Sequence, residues 1–176
     1  NNLDKIREKS GGVPVIAVLK ANAYGLDLRQ MAELLREQGI RRFAVTEPQD
    51  AVRLRDWGFN EEEILILRST SCAEDIKQIL TACATATIGS YDAAVALNGL
   101  AEKDGVSCDV HIKVDTGMGR YGFEPSELER ILSVYRFMTN LNVTGMYTHF
   151  PCAFRSRKKT LEQCNVLLDV AAKVRQ

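Results

Sequence analysis

Val15-Ile16-Ala17-Val18-Leu19-Lys20-Ala21-Asn22-Ala23-Tyr24-Gly25 carries an apolar run directly into a lysine. Five aliphatic residues rich in Val and Ile suit a short buried strand, and Lys20 falls where that strand meets its loop. Desolvation at such a place lowers a lysine's pKa and makes its amine nucleophilic, the usual preparation for Schiff-base chemistry. On position alone, a strand-end lysine that has merely reached solvent is the commoner outcome. Tyr24, on the same loop, can reach a phosphate or simply cap a core.

The same unit of apolar run, loop and helically spaced stretch recurs downstream. Strands are expected at 15–19, 42–46, 64–67, 84–88, 110–114 and 143–148. Between them run helical stripes: Leu28, Met31, Ala32 and Leu35; Ala51 and Leu54; Ile76, Ile79 and Leu80; Ala94, Leu97 and Ala101. Leu128, Ile131, Leu132 and Tyr135 make the clearest stripe, and Leu161, Cys164, Leu168 and Ala171 finish the series. Ser71 with Glu74, Ser126 with Glu129 and Thr160 with Gln163 fit capping boxes, Pro48 suits a first helical position, and Gly39 and Gly58 suit helix ends. Alternating strands and helices imply a parallel sheet with right-handed crossovers. Eight such units close a (β/α)8 barrel over about 250 residues. Six are expected here, so the chain reads either as an open sheet or as a truncated barrel. No linker divides residues 1–176, which are expected to form one partial barrel domain. Both ends look cut, since Leu3 and Ile6 open on a helix with no preceding strand and residues 158–176 run as helix to the end.

Lys plus Arg number 23 and Asp plus Glu 23, a formal net charge of zero. That removes the electrostatic footprint of a nucleic-acid or acidic-membrane binder and favours a small neutral or zwitterionic ligand. No apolar run approaches a membrane span and no leader pattern opens the chain, so a soluble, cytoplasmic protein is expected. The 5 cysteines are scattered and read as free thiols. Cys108 and His111 would point to opposite faces of a strand, so no metal site is expected.

The unusual polar residues collect at the carboxyl ends of the expected strands: Lys20, Thr46-Glu47, Arg68-Ser69, Lys113 to Arg120, and His149. In parallel α/β architectures that is the face where ligands bind. In Val110-His111-Ile112-Lys113-Val114-Asp115 the pleat separates three aliphatic from three ionisable residues. Buried charges there need partners, in a structural network or in an active site. Gly117, Gly119 and Gly122 match a dinucleotide fingerprint, but Phe123-Glu124-Pro125 delays the helix that fingerprint requires. The glycines instead let backbone approach a ligand, with Arg120 as a fixed cationic fork. His149 alone reads equally as a hydrogen-bonded structural residue.

Taken together, Lys20-Ala21-Asn22-Ala23-Tyr24-Gly25, Thr46-Glu47-Pro48, Lys113-Val114-Asp115-Thr116-Gly117-Met118-Gly119-Arg120 and Thr148-His149-Phe150 resemble, in order and spacing, the motifs of the pyridoxal-phosphate-dependent alanine racemase family. The match runs over nearly the whole chain. The resemblance implies a barrel carrying pyridoxal 5'-phosphate, followed in the family by a β-rich C-terminal domain absent from this sequence, and a cytoplasmic homodimer making D-alanine for the cell wall. It implies that Lys20 holds the cofactor as an internal aldimine and moves the α-proton on one face. Tyr24 matches the phosphate contact, Arg120 the arginine near the phenolic oxygen, His149 the histidine beside the ring, and Lys113 a position carbamylated in many members.

Racemisation needs a second base on the opposite face. In the family this is a tyrosine of the partner subunit's C-terminal domain, with no match here, so the fragment alone is expected to be inactive. Strands seven and eight, with the rest of the phosphate site, are also unmatched. Leu26 and Asp27 stand where the family commonly reads His-Gly, Asp27 being suited to cap the next helix, and residues 151–159 are short and basic. A serine racemase of the same family, a non-catalytic pyridoxal-phosphate-binding barrel and a related decarboxylase of basic amino acids are the competing readings. With six strands the sheet is expected to expose two edges, which favours self-association.

Overall fold

Each apolar run pairs with the next one along the chain. The structure, a computed structural model, describes residues 2–175. In order come α1 (Asn2–Lys9), β1 (Ala17–Val18), a helical turn α2 (Lys20–Tyr24), α3 (Leu28–Glu37), β2 (Arg42–Val45), α4 (Pro48–Asp56), β3 (Glu63–Ile66) and α5 (Ala73–Thr81). Then follow β4 (Thr85–Ile88), α6 (Tyr91–Asp104), β5 (Cys108–Lys113), a 3-10 turn (Pro125–Glu127) leading into α7 (Leu128–Phe137), β6 (Leu141–Tyr147) and α8 (Arg157–Val174). The strands form one parallel six-stranded sheet in sequential order, β1 to β6. Six strand–helix units of a barrel are thus present, and among the described residues β1 and β6 do not pair with each other.

The period-2 pleat sorts the side chains. Phe43 and Val45, Ile64 and Ile66, Ala86 and Ile88, and Val110 and Ile112 lie in one buried core shared with the helices. The register sets Phe43 beside Ile64 and Ala86 beside Val110. Ala44, Leu65, Thr87, His111 and Lys113 occupy the alternate positions, on the barrel's inner side. Cutting a fully buried Ile66 or Phe43 back to Ala costs about 2–5 kcal/mol, a large share of the roughly 5–15 kcal/mol that holds a domain together. A register shift between Val110 and His111 sets His111 against Gly145, where an added Cβ would stand 2.6 Å from His111 Nε2. Gly145 is therefore a space requirement of the barrel interior.

Some boundary expectations hold: Pro48 opens α4, Gly39 and Gly58 follow helices with φ of 79° and 85°, and Asp27 Oδ1 accepts from Gln30 N at 3.0 Å at the start of α3. Others do not. Thr70, not Ser71, serves the start of α5, accepting from Cys72 N at 3.1 Å while donating to Asp75 at 2.9 Å. The box before α7 is Glu124 with Glu127, two residues ahead of Ser126 with Glu129, because Pro125 already starts the 3-10 turn. Ser156 caps α8, accepting from Lys159 N, which leaves Thr160 inside the first turn, bonded to Ser156 O. The stripes of the last two helices are rotated: Ile131 and Val134 are buried in α7 while Tyr135 is exposed, and in α8 Gln163 and Val170 are buried while Leu161 and Leu168 are exposed. The cause is packing on one flank, since α8 lies against α7 and the 3-10 turn. β1 shrinks to two residues from the five expected. Among the described residues, no helix is long and apolar enough to cross a membrane.

Candidate active site

Beyond β1 the backbone turns left-handed. Ala21, Asn22 and Ala23 each have φ 53° and ψ between 46° and 51°, Tyr24 has φ 56°, and Gly25 closes the turn at φ 85°. Such a conformation costs an L-residue about 1–2 kcal/mol, which explains the absence of β-branched residues here. Local bonds offset part of that cost: Ala23 N donates to Leu19 O at 2.9 Å and Gly25 N to Ala21 O at 3.0 Å. Asn22, a residue type that tolerates this region, accepts from Leu28 N at 2.8 Å and so caps α3, while Ala23 is buried. Strain of this kind concentrates at ligand sites. The turn leaves Lys20 and Tyr24 side by side, Nζ 6.0 Å from the ring centroid. Lys20 is exposed, the commoner outcome for a strand-end lysine, and not desolvated. With β1 only two residues long, Lys20 lies beyond the sheet rather than inside it.

A cavity of 550 Å³ opens at the carboxyl ends of the strands. Lys20 and Tyr24 line it beyond β1, Thr46 beyond β2 and Arg68 beyond β3. Lys113, Arg120 and Tyr121 line it from β5 and its loop, and Tyr147, Thr148 and His149 from β6 and just after. All five residues singled out in the sequence, Lys20, Tyr24, Lys113, Arg120 and His149, therefore meet at one cavity. Among its described lining residues there is no carboxylate. Two acids beside Arg68 are used elsewhere: Glu47 and Asp75 both pair with it, at 2.9 and 3.0 Å.

Lys113 is the buried lysine, 2% exposed, and its Nζ donates to the Tyr121 carbonyl at 2.6 Å. Burial pushes its pKa down, Asp115 pulls it partly back, and Arg120 pushes it down further. The glycine loop is shaped by Asp115, whose carboxylate accepts from Gly117 N at 3.0 Å, Met118 N at 2.7 Å and Arg120 N at 2.9 Å. Burial alone would raise the Asp115 pKa, but the N–H groups of Gly117, Met118, Arg120 and Gly119 hold it below the usual carboxylate value. Gly122, at φ 134°, lets the loop return to the strand; a Cβ there would stand 2.9 Å from Asp115 N. Around His149, burial and then the charges of Arg120, Lys113 and Lys20 keep the imidazole pKa below its ordinary value. The cavity is thus electropositive and suits an anionic ligand.

Two of the cavity residues, Tyr147 and Tyr121, escape a reading of the sequence. Tyr147 reaches across the barrel interior to Thr87 Oγ1 at 2.9 Å and Leu67 O at 3.4 Å, and burial raises its pKa to about 12. Tyr121 donates from its hydroxyl to Leu67 O at 2.8 Å. Thr148 bonds Thr116 at 2.9 Å. The available signal is a tyrosine on the inward parity of a strand, since a buried hydroxyl needs a partner.

The family model described as "Alanine racemase, N-terminal domain" matches residues 1–176. The chain belongs to the alanine racemase family. That family is pyridoxal-phosphate-dependent. An alanine racemase of Methanococcus maripaludis is 37% identical over 161 residues, 90% of this chain and 42% of that protein. The alanine racemase of Bacillus anthracis with bound L-Ala-P is similar in structure at a TM-score of 0.87 and 30% identity, over 99% of this chain and 45% of that one. A histidine racemase from Leuconostoc mesenteroides superimposes at a TM-score of 0.84 with 27% identity, over 94% and 44% of the two chains. The chain spans under half the length of these family members.

Proposed function

We propose that this chain is the cofactor-holding barrel portion of a pyridoxal-phosphate-dependent amino-acid racemase that interconverts L- and D-alanine. The supporting observation is the convergence of Lys20, Tyr24, Lys113, Arg120 and His149 on one cavity with no carboxylate in its described lining. That donor set fits pyridoxal phosphate: a reachable amine for its aldehyde and fixed cations for its anionic oxygens. When bound, the cofactor supplies an electron-accepting ring that makes an amino acid's α-hydrogen acidic.

In this reading Lys20 is the attachment point and, as a free amine, moves the α-proton on one face. Tyr24 would contact the phosphate. Arg120, whose backbone N–H is held by Asp115, would meet the phenolic oxygen. His149, kept neutral by its surroundings, would stand beside the ring. Tyr147 has a pKa near 12 and two hydrogen-bond partners, so it is a poor base for the opposite face. The second base, the rest of the phosphate site and the homodimer contact belong to the whole protein, as does turnover. Residues 1–176 act as one barrel unit, and the five free thiols suit a reducing cytoplasm.

Lys113 is the site of a carbamate. Its depressed pKa supplies a neutral Nζ that adds to carbon dioxide and releases one proton, and the resulting anion stands near Arg120 where an ammonium was repelled. The test is made on the full-length protein. It should gain an absorbance band with pyridoxal phosphate and racemise alanine, and Lys20→Ala should lose both. A band of equal size in that variant, or an intact cofactor complex with no alanine turnover, would overturn the reading.

A further inference from the structure

A second cavity, of 330 Å³, lies against the glycine loop. Thr116 and Gly117 of that loop line it, as do Cys152, just before α8, and Lys159, Glu162 and Gln163 from the first turns of α8. The Thr116 and Thr148 hydroxyls, bonded at 2.9 Å, form a shared wall with the candidate active site, since Thr148 lines that cavity and Thr116 this one. Gln163 is 8% exposed, its Oε1 is wholly withdrawn from solvent, and among the described residues that oxygen has no hydrogen-bond partner. A buried acceptor without a donor is destabilising, and methionine would fill similar space without the penalty. The loop leaves the amide its room: a Cβ on Gly117 would stand 3.4 Å from Gln163 Nε2. Lys159 and Glu162, opposite charges three residues apart on α8, are exposed, and among the described residues neither side chain is in an ion pair.

We propose that this cavity is a second binding site, for a small free amino acid. The three polar side chains divide a zwitterion between them: Lys159 takes the carboxylate, while Glu162 and Gln163 Oε1 receive the ammonium. The last torsion of a glutamine is broad and roughly twofold, so the orphan oxygen turns to a donor in the cavity with no bond to give up. A simple anion would leave that oxygen unpaired, and a simple amine would leave Lys159 unused. The basic run Arg155, Arg157 and Lys158 adds to the pull on a carboxylate. The volume lies at the small end of ligand pockets, which suits a ligand of this size. Such a ligand rests against Gly117, whose N–H is held by the same Asp115 carboxylate that holds Arg120 N. The site stands on this chain's own residues and does not depend on the cofactor reading above.

The experiment follows alkylation of Cys152 by iodoacetamide in the full-length protein, mapped by mass spectrometry, with glycine as the probe. Glycine should slow the reaction saturably, by about tenfold at about ten times its midpoint concentration, where one site in about eleven is free. Acetate and methylamine each satisfy one end of the site and should bind at least about tenfold more weakly, so either at that concentration should slow labelling about twofold or less. In Gln163→Met, glycine should likewise slow labelling about twofold or less against the same variant without it. Lys159→Ala, a surface change, gives the same reading if the methionine variant does not fold. No protection in the wild type, or protection by acetate equal to that by glycine, would overturn the proposal. So would full protection persisting in a folded variant, because glycine would then act from the active-site cavity. Protection in protein that takes up no pyridoxal phosphate would sink the cofactor reading and leave the second site standing.

Discussion

Asp115→Asn tests whether one carboxylate shapes the glycine loop. In the native chain Oδ1 accepts from Gly117 N and Met118 N, and Oδ2 from Arg120 N. Asparagine keeps one acceptor oxygen and turns the other into an NH2 group facing the Arg120 N–H. One charge-assisted bond, worth about 1.5–3 kcal/mol, is lost outright, and the two that remain become neutral and weaker. Partial exposure of the loop lets water take over some of this, so the net expectation is about 2 kcal/mol of lost stability. Urea denaturation read by fluorescence of the single Trp57 measures it, as a lower midpoint at unchanged slope.

The pH dependence gives the same test a sign. Asp115's folded pKa lies below its ordinary value, so its contribution is present above the unfolded pKa and is lost as pH falls through the folded one. The gap between wild type and variant should be full at about pH 6 and should narrow below about pH 4, where the wild-type carboxyl takes up its proton. Equal midpoints at the higher pH would refute the reasoning, and so would a gap that persists undiminished in acid.

Asn22→Ala removes the acceptor for Leu28 N and the residue best suited to the left-handed turn; a loss of about 1 kcal/mol is expected in thermal melts, and an unchanged melting temperature would count against the cap. Gly145→Ala puts a methyl 2.6 Å from His111 Nε2 and should cost about 1–3 kcal/mol. Adding His111→Ala should return part of that loss, and strict additivity in the double-mutant cycle would rule out the clash. Tyr147→Phe strands the buried Thr87 hydroxyl, so a destabilisation of about 1–2 kcal/mol is expected, with Thr87→Val in the same background restoring part of it.

Strand β5 shows how much of this was legible beforehand. The alternation of Val110, Ile112 and Val114 with His111, Lys113 and Asp115 is a covalent property of an extended chain, so the helix-facing and cavity-facing sides follow from the sequence by parity. Parallel strand order follows from the repeated units, and strand ends in such a sheet must share one face. Tyr121 meeting Leu67 was out of reach because the bond joins a loop to a strand end 54 residues away, and no local pattern encodes that span. In helix α8 the expected stripe of Leu161, Cys164, Leu168 and Ala171 is not the buried side, because a helix resting on one flank buries only a narrow strip, here through Gln163 and Val170.

Lys20 shows the limit of position as a signal: a strand-end lysine can be desolvated or can reach solvent, and in the fold Lys20 is exposed while the lysine withdrawn from water is Lys113. In the proposed reading, an exposed amine at the cavity mouth can reach a carbonyl carbon, whereas groups that meet an anion gain from being fixed in place. Lys113 lies on a strand with its Nζ donating to the Tyr121 carbonyl, Arg120 follows a carboxylate-shaped loop, and Lys20 starts a strained turn outside the sheet.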